Sequence, residues 1–228
     1  IRAVLPTIQY CLKAGANIVL MSHLGRPNGN HNSELSLIPV GETLADLLEM
    51  PIKFSDDCVS EDSRDVSLGL RGGEIHLLEN LRFHKGETEN DSGFSWFLSR
   101  HAGIYINDAF GTAHRAHASN VGITEYIQNT AAGFLIEKEM KYLFDTIQKP
   151  LSPTVLILGG AKISDKIELI NNMLNKVNVI MIGGAMAFTF LKANGKNIGA
   201  SLVDEANLQT ADDILVNAEN SQVEIILP

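Results

Sequence analysis

Five short apolar segments, each followed at once by glycine or cationic residues, constrain the fold of this chain more than any other feature. Three lie in the first half and end in segments that carry Arg and His; two lie in the second half and end in Gly-Gly. Segments with a helical spacing of apolar residues separate them. Strands that alternate with helices imply right-handed crossovers and mainly parallel sheets. The sequence therefore predicts an α/β protein with doubly wound sheets in two lobes.

The same pattern predicts where the chain divides. An amphipathic segment at 132–148 separates the two halves, and Pro150 and Pro153 follow it. We predict a connecting helix at 133–150, between a first lobe at 1–132 and a second lobe at 151–228.

Individual elements follow from apolar periodicity and from turn residues. Helices are predicted at 6–15, 37–48, within 56–73, and at 94–100, 132–148, 163–174, 185–195 and 207–218. Strands are predicted at 17–22, 52–54, 74–79, 104–107, 154–158, 179–182 and 223–227, with 17–22, 104–107 and 154–158 buried. Surface loops are predicted at 28–36 and 87–92.

Composition limits the class of function. The formal net charge of −9 argues against a surface for nucleic acid or anionic membranes, so cations gathered at one edge indicate a small anionic ligand. The cysteines, Cys11 and Cys58, are far apart and indicate neither a disulfide framework nor a zinc site. The chain shows no signal peptide, and its longest apolar run, 179–191, is too short to cross a bilayer. We expect a cytoplasmic enzyme.

The three strand ends of the first half carry the most informative side chains. They pair His23 with Arg26, Arg82 with His84, and His114 and His117 with Arg115. Arg binds carboxylate and phosphate groups through two parallel hydrogen bonds, so a crevice lined by these residues suits a small anion. A solvated basic turn is the alternative interpretation of any one of them.

The Gly-Gly turns of the second half favour a phosphate ligand. Gly159-Gly160 and Gly183-Gly184 each stand between a strand and a predicted helix start. Lys162 and Lys166 are four residues apart and, on a helix beginning at 163, would share one face. Tight strand–helix packing alone would also explain the glycines. The GxxxxGK[ST] and GxGxxG fingerprints are absent, and two anion sites on facing lobes indicate a phosphotransferase.

Five segments resemble those of the phosphoglycerate kinase family, in one order along the whole chain. They are SHLGRP (22–27), LLENLRFHKGE (77–87), NDAFGTAHRAHAS (107–119), LGGAKISDKIELI (158–170) and IGGAMAFTFLK (182–192). The resemblance implies two Rossmann-like lobes, the second incomplete. It implies phosphoryl transfer between 1,3-bisphosphoglycerate and ADP, giving 3-phosphoglycerate and ATP in glycolysis. It also implies a monomer, with Mg²⁺ bound through the nucleotide and not by side chains of this chain.

The resemblance also implies roles for matching residues. The phosphoglycerate-binding residues would be His23, Leu24, Gly25, Arg26, Arg82, Arg115 and His117. The nucleotide-binding residues would be Gly160, Ala161, Lys162, Lys166, Gly183 and Gly184. Lys162 and Arg115 would supply the catalytic positive charges. Ala185 stands where the family usually has a third glycine.

The chain departs from the family pattern at its ends. The family's first strand would precede Ile1, and its WNGPxGxFE and GGGDT segments would follow Pro228. We expect an internal fragment that is inactive, or nearly so, on its own. Two alternatives remain at this stage: a non-catalytic phosphoglycerate-binding module, and an unrelated oxidoreductase, against which the missing GxGxxG counts.

Overall fold

The chain forms two units in the computed structural model, Ile1–Met140 and Lys141–Pro228. The structure describes residues 1–228, and the side chains of 1–144 and 146–228. Its strands are β1 (Ile18–Leu20), β2 (Ile52–Ser55), β3 (Ile75–Leu78), β4 (Ile104–Asn107), β5 (Asn129–Ala132), β6 (Val155–Gly159), β7 (Val179–Gly183) and β8 (Glu224–Ile226). Its helices are α1 (Leu5–Lys13), α2 (Ile38–Leu48), α3 (Glu61–Leu68), α4 (Lys85–Glu89), α5 (Ser92–Ser99), α6 (Phe134–Met140), α7 (Thr146–Gln148), α8 (Ile167–Met173), α9 (Met186–Ala193) and α10 (Leu208–Asn220).

The first unit contains two parallel sheets. In one, β3 lies between β1 and β2, and Ile75 is in register with both Ile18 and Ile52. All four residues of β3 are buried, because it has a neighbour on each side and α1 and α2 contribute Ile8 and Leu44 to its core. The other sheet pairs β4 with β5. Parallel pairing brings the carboxyl ends of neighbouring strands to the same edge, as the sequence predicted.

The second unit contains one parallel sheet in the order β6-β7-β8. Its core joins the central strand β7 to the helices α8, α9 and α10. Ile180, Ile170, Phe190 and Ile214 are at most 1% exposed within it. The α/β class and the parallel sheets predicted from the sequence are confirmed, and the boundaries predicted at 132 and 150 stay a prediction.

Some predicted elements were wrong. The segment 87–92 is not a loop: α4 occupies Lys85–Glu89, and Asp91 caps α5 by accepting a hydrogen bond from the Phe94 amide at 2.7 Å. The predicted helix at 132–148 is α6, a π-helical segment at 141–145 and α7. Strand β5 was missed, because Asn129–Ala132 has no large apolar side chain.

All three strands predicted to be buried are less buried than expected. In β1, all three residues are only partly buried. In β4, Tyr105 is buried but Ile104 is 65% exposed, and in β6, Leu158 is buried but Ile157 is 75% exposed. The last two strands show a clear difference between their faces. Each of these strands therefore buries one face against the residues that the structure describes, and leaves the other open. No helix in the described chain is long and apolar enough to cross a membrane.

A buried chain of polar side chains links α3 to β3. The Ser67 hydroxyl lies 2.8 Å from Nδ1 of His76 and 2.7 Å from Nδ1 of His101. Nε2 of His76 lies 2.8 Å from the Ser55 hydroxyl, and Nε2 of His101 donates to the Cys58 carbonyl at 3.0 Å. Burial, His101 and Lys53 lower the pKa of His76 to about 4. The imidazole is therefore neutral at pH 7.

We predict that His76 makes the protein sensitive to acid. The unfolded chain binds a proton at this imidazole near pH 6.5, whereas the folded chain resists protonation until about pH 4. The free energy of unfolding should therefore fall as pH drops through this window, by up to about 3 kcal/mol. Urea unfolding at pH 7 and pH 4.5 measures the loss. His76→Gln should remove this part of the pH dependence, and His114→Gln, at an exposed position, should keep it. An unchanged pH dependence in His76→Gln would contradict the assignment.

Candidate functional site

The segments that follow β1 and β3 are joined through Asn80. Its side-chain amide donates to the Leu24 carbonyl at 2.7 Å and to the Leu35 carbonyl at 2.9 Å, and its Oδ1 accepts from the Arg82 amide at 3.1 Å. Nη1 of Arg82 donates to the Gly25 carbonyl at 2.8 Å. These bonds fix one edge of the candidate site, because Asn80 is fully buried and its partners hold it in one orientation.

Gly25 lets the segment after β1 turn at this place. Its φ is +63°, and a Cβ would lie 2.7 Å from a methyl carbon of Leu35. A side chain here would be strained by the left-handed conformation, and the Leu35 side chain would have to shift to make room for it. Arg26 follows on the same turn and is exposed.

Glu87, on α4, connects these segments to the one that follows β4. Its carboxylate has no exposed surface, bonds Nε2 of His23 at 2.5 Å, and accepts from the Ser119 hydroxyl at 2.7 Å and the Ser119 amide at 3.0 Å. Burial alone would raise the pKa of Glu87, but the hydrogen bonds from His23 and Ser119 outweigh it and leave that pKa below its ordinary value. Glu87 is therefore an anion at neutral pH.

His117 completes the group and has bonding capacity left for a ligand. Its ring centroid lies 5.9 Å from that of His23, and its Nδ1 lies 3.6 Å from Oε1 of Glu87, beyond hydrogen-bond range. Among the described residues, this buried nitrogen and the buried Nε of Arg82 have no hydrogen-bond partner. Burial lowers the pKa of His117, and the nearby Arg82 and Arg115 add to that effect. We call His23, Arg82, Glu87, Arg115 and His117 the anion cluster.

One predicted member of this edge lies elsewhere. Nε2 of His84 bonds Oδ1 of Asp57 at 2.9 Å, and its ring packs on Phe94. His84 therefore belongs to a different group of side chains. Sequence reasoning also missed the linking roles of Asn80, Glu87 and Ser119. For Asn80, the sequence did contain a signal, because this polar residue directly follows a predicted apolar strand.

The two Gly-Gly turns of the second unit are neighbours in space. Gly159 and Gly183 are in register on β6 and β7, and the Met186 amide donates to the Gly160 carbonyl at 3.0 Å. Gly184 has a φ of +72°, and a Cβ there would lie 2.9 Å from the Gly160 carbonyl oxygen. The two backbones therefore approach more closely than any side chain would allow.

The predicted arrangement of the two lysines was wrong. Helix α8 begins at Ile167, so Lys166 precedes it and Lys162 lies in the irregular segment before. Ile163, fully buried, anchors that segment in the core and interrupts the helix predicted from 163. Lys162 and Ala161 are exposed beside the glycine turns. The charge of Lys162 is therefore accessible to a ligand, although Lys162 and Lys166 do not share a helical face.

Comparisons with known proteins point in one direction. A family model described as phosphoglycerate kinase matches residues 1–228. The chain is 47% identical over 228 residues to phosphoglycerate kinase of Chloroherpeton thalassium, and all of it matches 57% of that relative. It is 49% identical over 226 residues to that of Clostridium botulinum, where 98% of the chain matches 57% of the relative. The chain thus spans little more than half the length of these relatives.

Solved structures give the same family. The structure of phosphoglycerate kinase from Coxiella burnetii is similar with a TM-score of 0.85 and 37% identity, over all of this chain and 57% of that one. The crystal structure of phosphoglycerate kinase from Pyrococcus horikoshii is similar with a TM-score of 0.76 and 30% identity, over 97% of this chain and 55% of that one.

We predict that Glu87→Ala strongly destabilises the first unit. The change leaves His23 and the Ser119 amide without their buried partner, which should cost about 3–5 kcal/mol of unfolding free energy. Glu89→Ala, at an exposed position on the same helix, should cost no more than about 0.5 kcal/mol. Denaturant unfolding measures both, and equal losses would refute the linking role of Glu87.

We predict that Gly184→Ala costs more stability than Gly195→Ala. Both glycines have a φ of +72°, so alanine incurs the same left-handed strain of about 1–2 kcal/mol at each. Only at Gly184 does the new Cβ also meet the Gly160 backbone, whereas nothing lies within 4 Å at Gly195. The difference between their thermal midpoints therefore isolates the close approach. Equal midpoints would contradict this prediction, because they would show that the Gly160 backbone moves away from the new Cβ without loss of stability.

Proposed function

This chain belongs to the phosphoglycerate kinase family, and from that premise we propose that the protein transfers a phosphoryl group between 1,3-bisphosphoglycerate and ADP, giving 3-phosphoglycerate and ATP. The observation that carries the proposal is the anion cluster. In a chain with a net charge of −9, it places two His at one buried carboxylate and two Arg near one of those His, and two of its buried nitrogens have no partner among the described residues. A phosphate or carboxylate group would satisfy such donors.

The proposed substrate site uses the first unit. Arg82 and Arg115 would bind the charged groups of 3-phosphoglycerate, and His23 and His117 would donate further hydrogen bonds. Leu24 and Gly25 would shape the turn that carries Arg26 to the ligand. The negative charge of Glu87 would compensate part of the positive charge of the anion cluster. Arg82 and Arg115 could therefore lie near each other before a ligand binds.

The proposed nucleotide site uses the second unit. Phosphate groups would lie beside Ala161 and Gly183, where the Gly160 and Gly184 backbones approach each other, and Lys162 and Lys166 would supply positive charge. In our proposal, Lys162 and Arg115 stabilise the phosphoryl group as it is transferred, since such catalysis depends on positioning and charge.

Mg²⁺ would arrive as part of the nucleotide substrate. Both groups of side chains that could hold a metal ion among the described residues belong to the first unit, whereas the Gly-Gly turns belong to the second. We further propose a cytoplasmic monomer that acts on small molecules, with the substrate lobe at 1–132, the connecting helix at 133–150 and the nucleotide lobe at 151–228.

We predict that the chain binds 3-phosphoglycerate through Arg115 and Arg82. Calorimetric titration should give saturable binding, and Arg115→Ala or Arg82→Ala should weaken it by about tenfold to a hundredfold, the value of a lost charge-assisted hydrogen bond. Arg71→Ala, at an exposed position in the same unit, is the matched control and should bind as the unchanged chain does.

Circular dichroism of each variant verifies that it is folded. An Arg115→Ala chain that is folded and binds as tightly as Arg71→Ala would refute the proposed substrate site. Coupled-enzyme assays of the same preparations show whether binding is accompanied by turnover.

A further inference from the structure

A second group of potential metal ligands lies away from the anion cluster. Asp57 and Cys58 follow β2, and His84 lies at the start of α4. One atom from each, a carboxylate oxygen, the Sγ and an imidazole nitrogen, lie within 4.8 Å of one another. The ligands of a tetrahedral zinc ion lie about 3.2–3.7 Å apart, since zinc–nitrogen and zinc–sulfur bonds are about 2.0–2.3 Å long. The 2.9 Å contact between His84 and Asp57 would widen slightly when a metal binds.

The surrounding structure holds these three residues in place. The Cys58 amide donates to Oδ1 of Asp57 at 2.7 Å, and the Cys58 carbonyl accepts from Nε2 of His101 at 3.0 Å. The ring of His84 packs on that of Phe94 with centroids 5.3 Å apart. Partners that orient the ligands in this way are typical of metal sites.

A cavity of about 220 Å³ opens beside the three residues. Its lining also includes Asp56 and Glu79, whereas no Lys or Arg is among the described residues that line it. The carboxylates of Asp56, Asp57 and Glu79 at this cavity favour a cation. The anion cluster differs in this respect, because Arg82 and Arg115 lie near its His117 imidazole.

We propose that Asp57, Cys58 and His84 form a binding site for a thiophilic divalent cation of the zinc type, with water as the fourth ligand. Sulfur and imidazole ligands select such ions over Mg²⁺ and Ca²⁺. On binding, the Cys58 thiol releases its proton to solvent and the thiolate bonds the metal, with no change in oxidation state. The sequence spacing alone indicated no zinc site, because the third ligand lies 26 residues beyond Cys58.

The test is titration of the 228-residue chain with Co²⁺, which replaces Zn²⁺ and absorbs visible light. We expect one equivalent to bind, with the thiolate-to-cobalt charge-transfer band in the near ultraviolet, and Zn²⁺ to abolish the spectrum. Cys58→Ser should remove the charge-transfer band. His84→Gln, at a partly exposed position, should weaken Co²⁺ binding at least tenfold.

Matched controls separate this site from other sources of metal binding. Cys11→Ser removes the other thiol and should leave the spectrum unchanged. His23→Gln alters the anion cluster and should also leave it unchanged. Absence of a charge-transfer band in the folded, unchanged chain would overturn the proposal. So would binding that survives His84→Gln and is lost in His23→Gln.

Discussion

The first unit depends on a carboxylate that has no contact with solvent. Glu87 reaches from α4 to His23 after β1 and to Ser119 after β4, and its own carbonyl accepts from the Ala118 amide at 2.9 Å. Segments far apart in the sequence thus meet at one charge. Removing that charge from water is unfavourable unless hydrogen bonds replace the lost solvation, and here three do. Because the bonds come from different segments, the carboxylate sets the geometry of the site as well as contributing to stability.

The second unit positions its candidate binding groups without a buried charge. At Gly160 and Gly184 the backbone itself would form the surface for the proposed nucleotide, and Lys162 and Lys166 lie outside the regular helices. The first unit therefore positions its side chains through hydrogen bonds to a common partner, Glu87. The second unit brings two backbone segments close together, because Gly160 and Gly184 have no side chains to keep them apart. This difference fits the proposed ligands, a small acid for the first unit and a polyphosphate chain for the second.

Local patterns in the sequence were enough for most of the fold. Helices α2 and α10 and the strands β3 and β7 follow from apolar periodicity and turn residues, because those signals lie within one element. The start of α8 could not be predicted in this way, since it depends on Ile163 being drawn into the core. Likewise, the contact of Arg82 with Gly25 joins residues 57 positions apart, and no periodicity encodes it. Composition and strand ends indicated which residues gather, but not which of them bond one another.

In the buried chain of polar side chains that links α3 to β3, each hydrogen bond donates in the same direction along the chain. Burial lowers the pKa of His101, so the neutral ring carries one proton, which must be on Nε2 because the Cys58 carbonyl only accepts. Its Nδ1 then accepts the single hydroxyl proton of Ser67, since it lies 2.7 Å from that hydroxyl and the competing Ser63 carbonyl lies 3.2 Å away. His76 must then donate from Nδ1 to Ser67 and accept from Ser55 at Nε2. The two neighbouring imidazoles therefore adopt opposite tautomers. In a ¹⁵N NMR spectrum, the resonance of a protonated ring nitrogen would belong to Nε2 in His101 and to Nδ1 in His76.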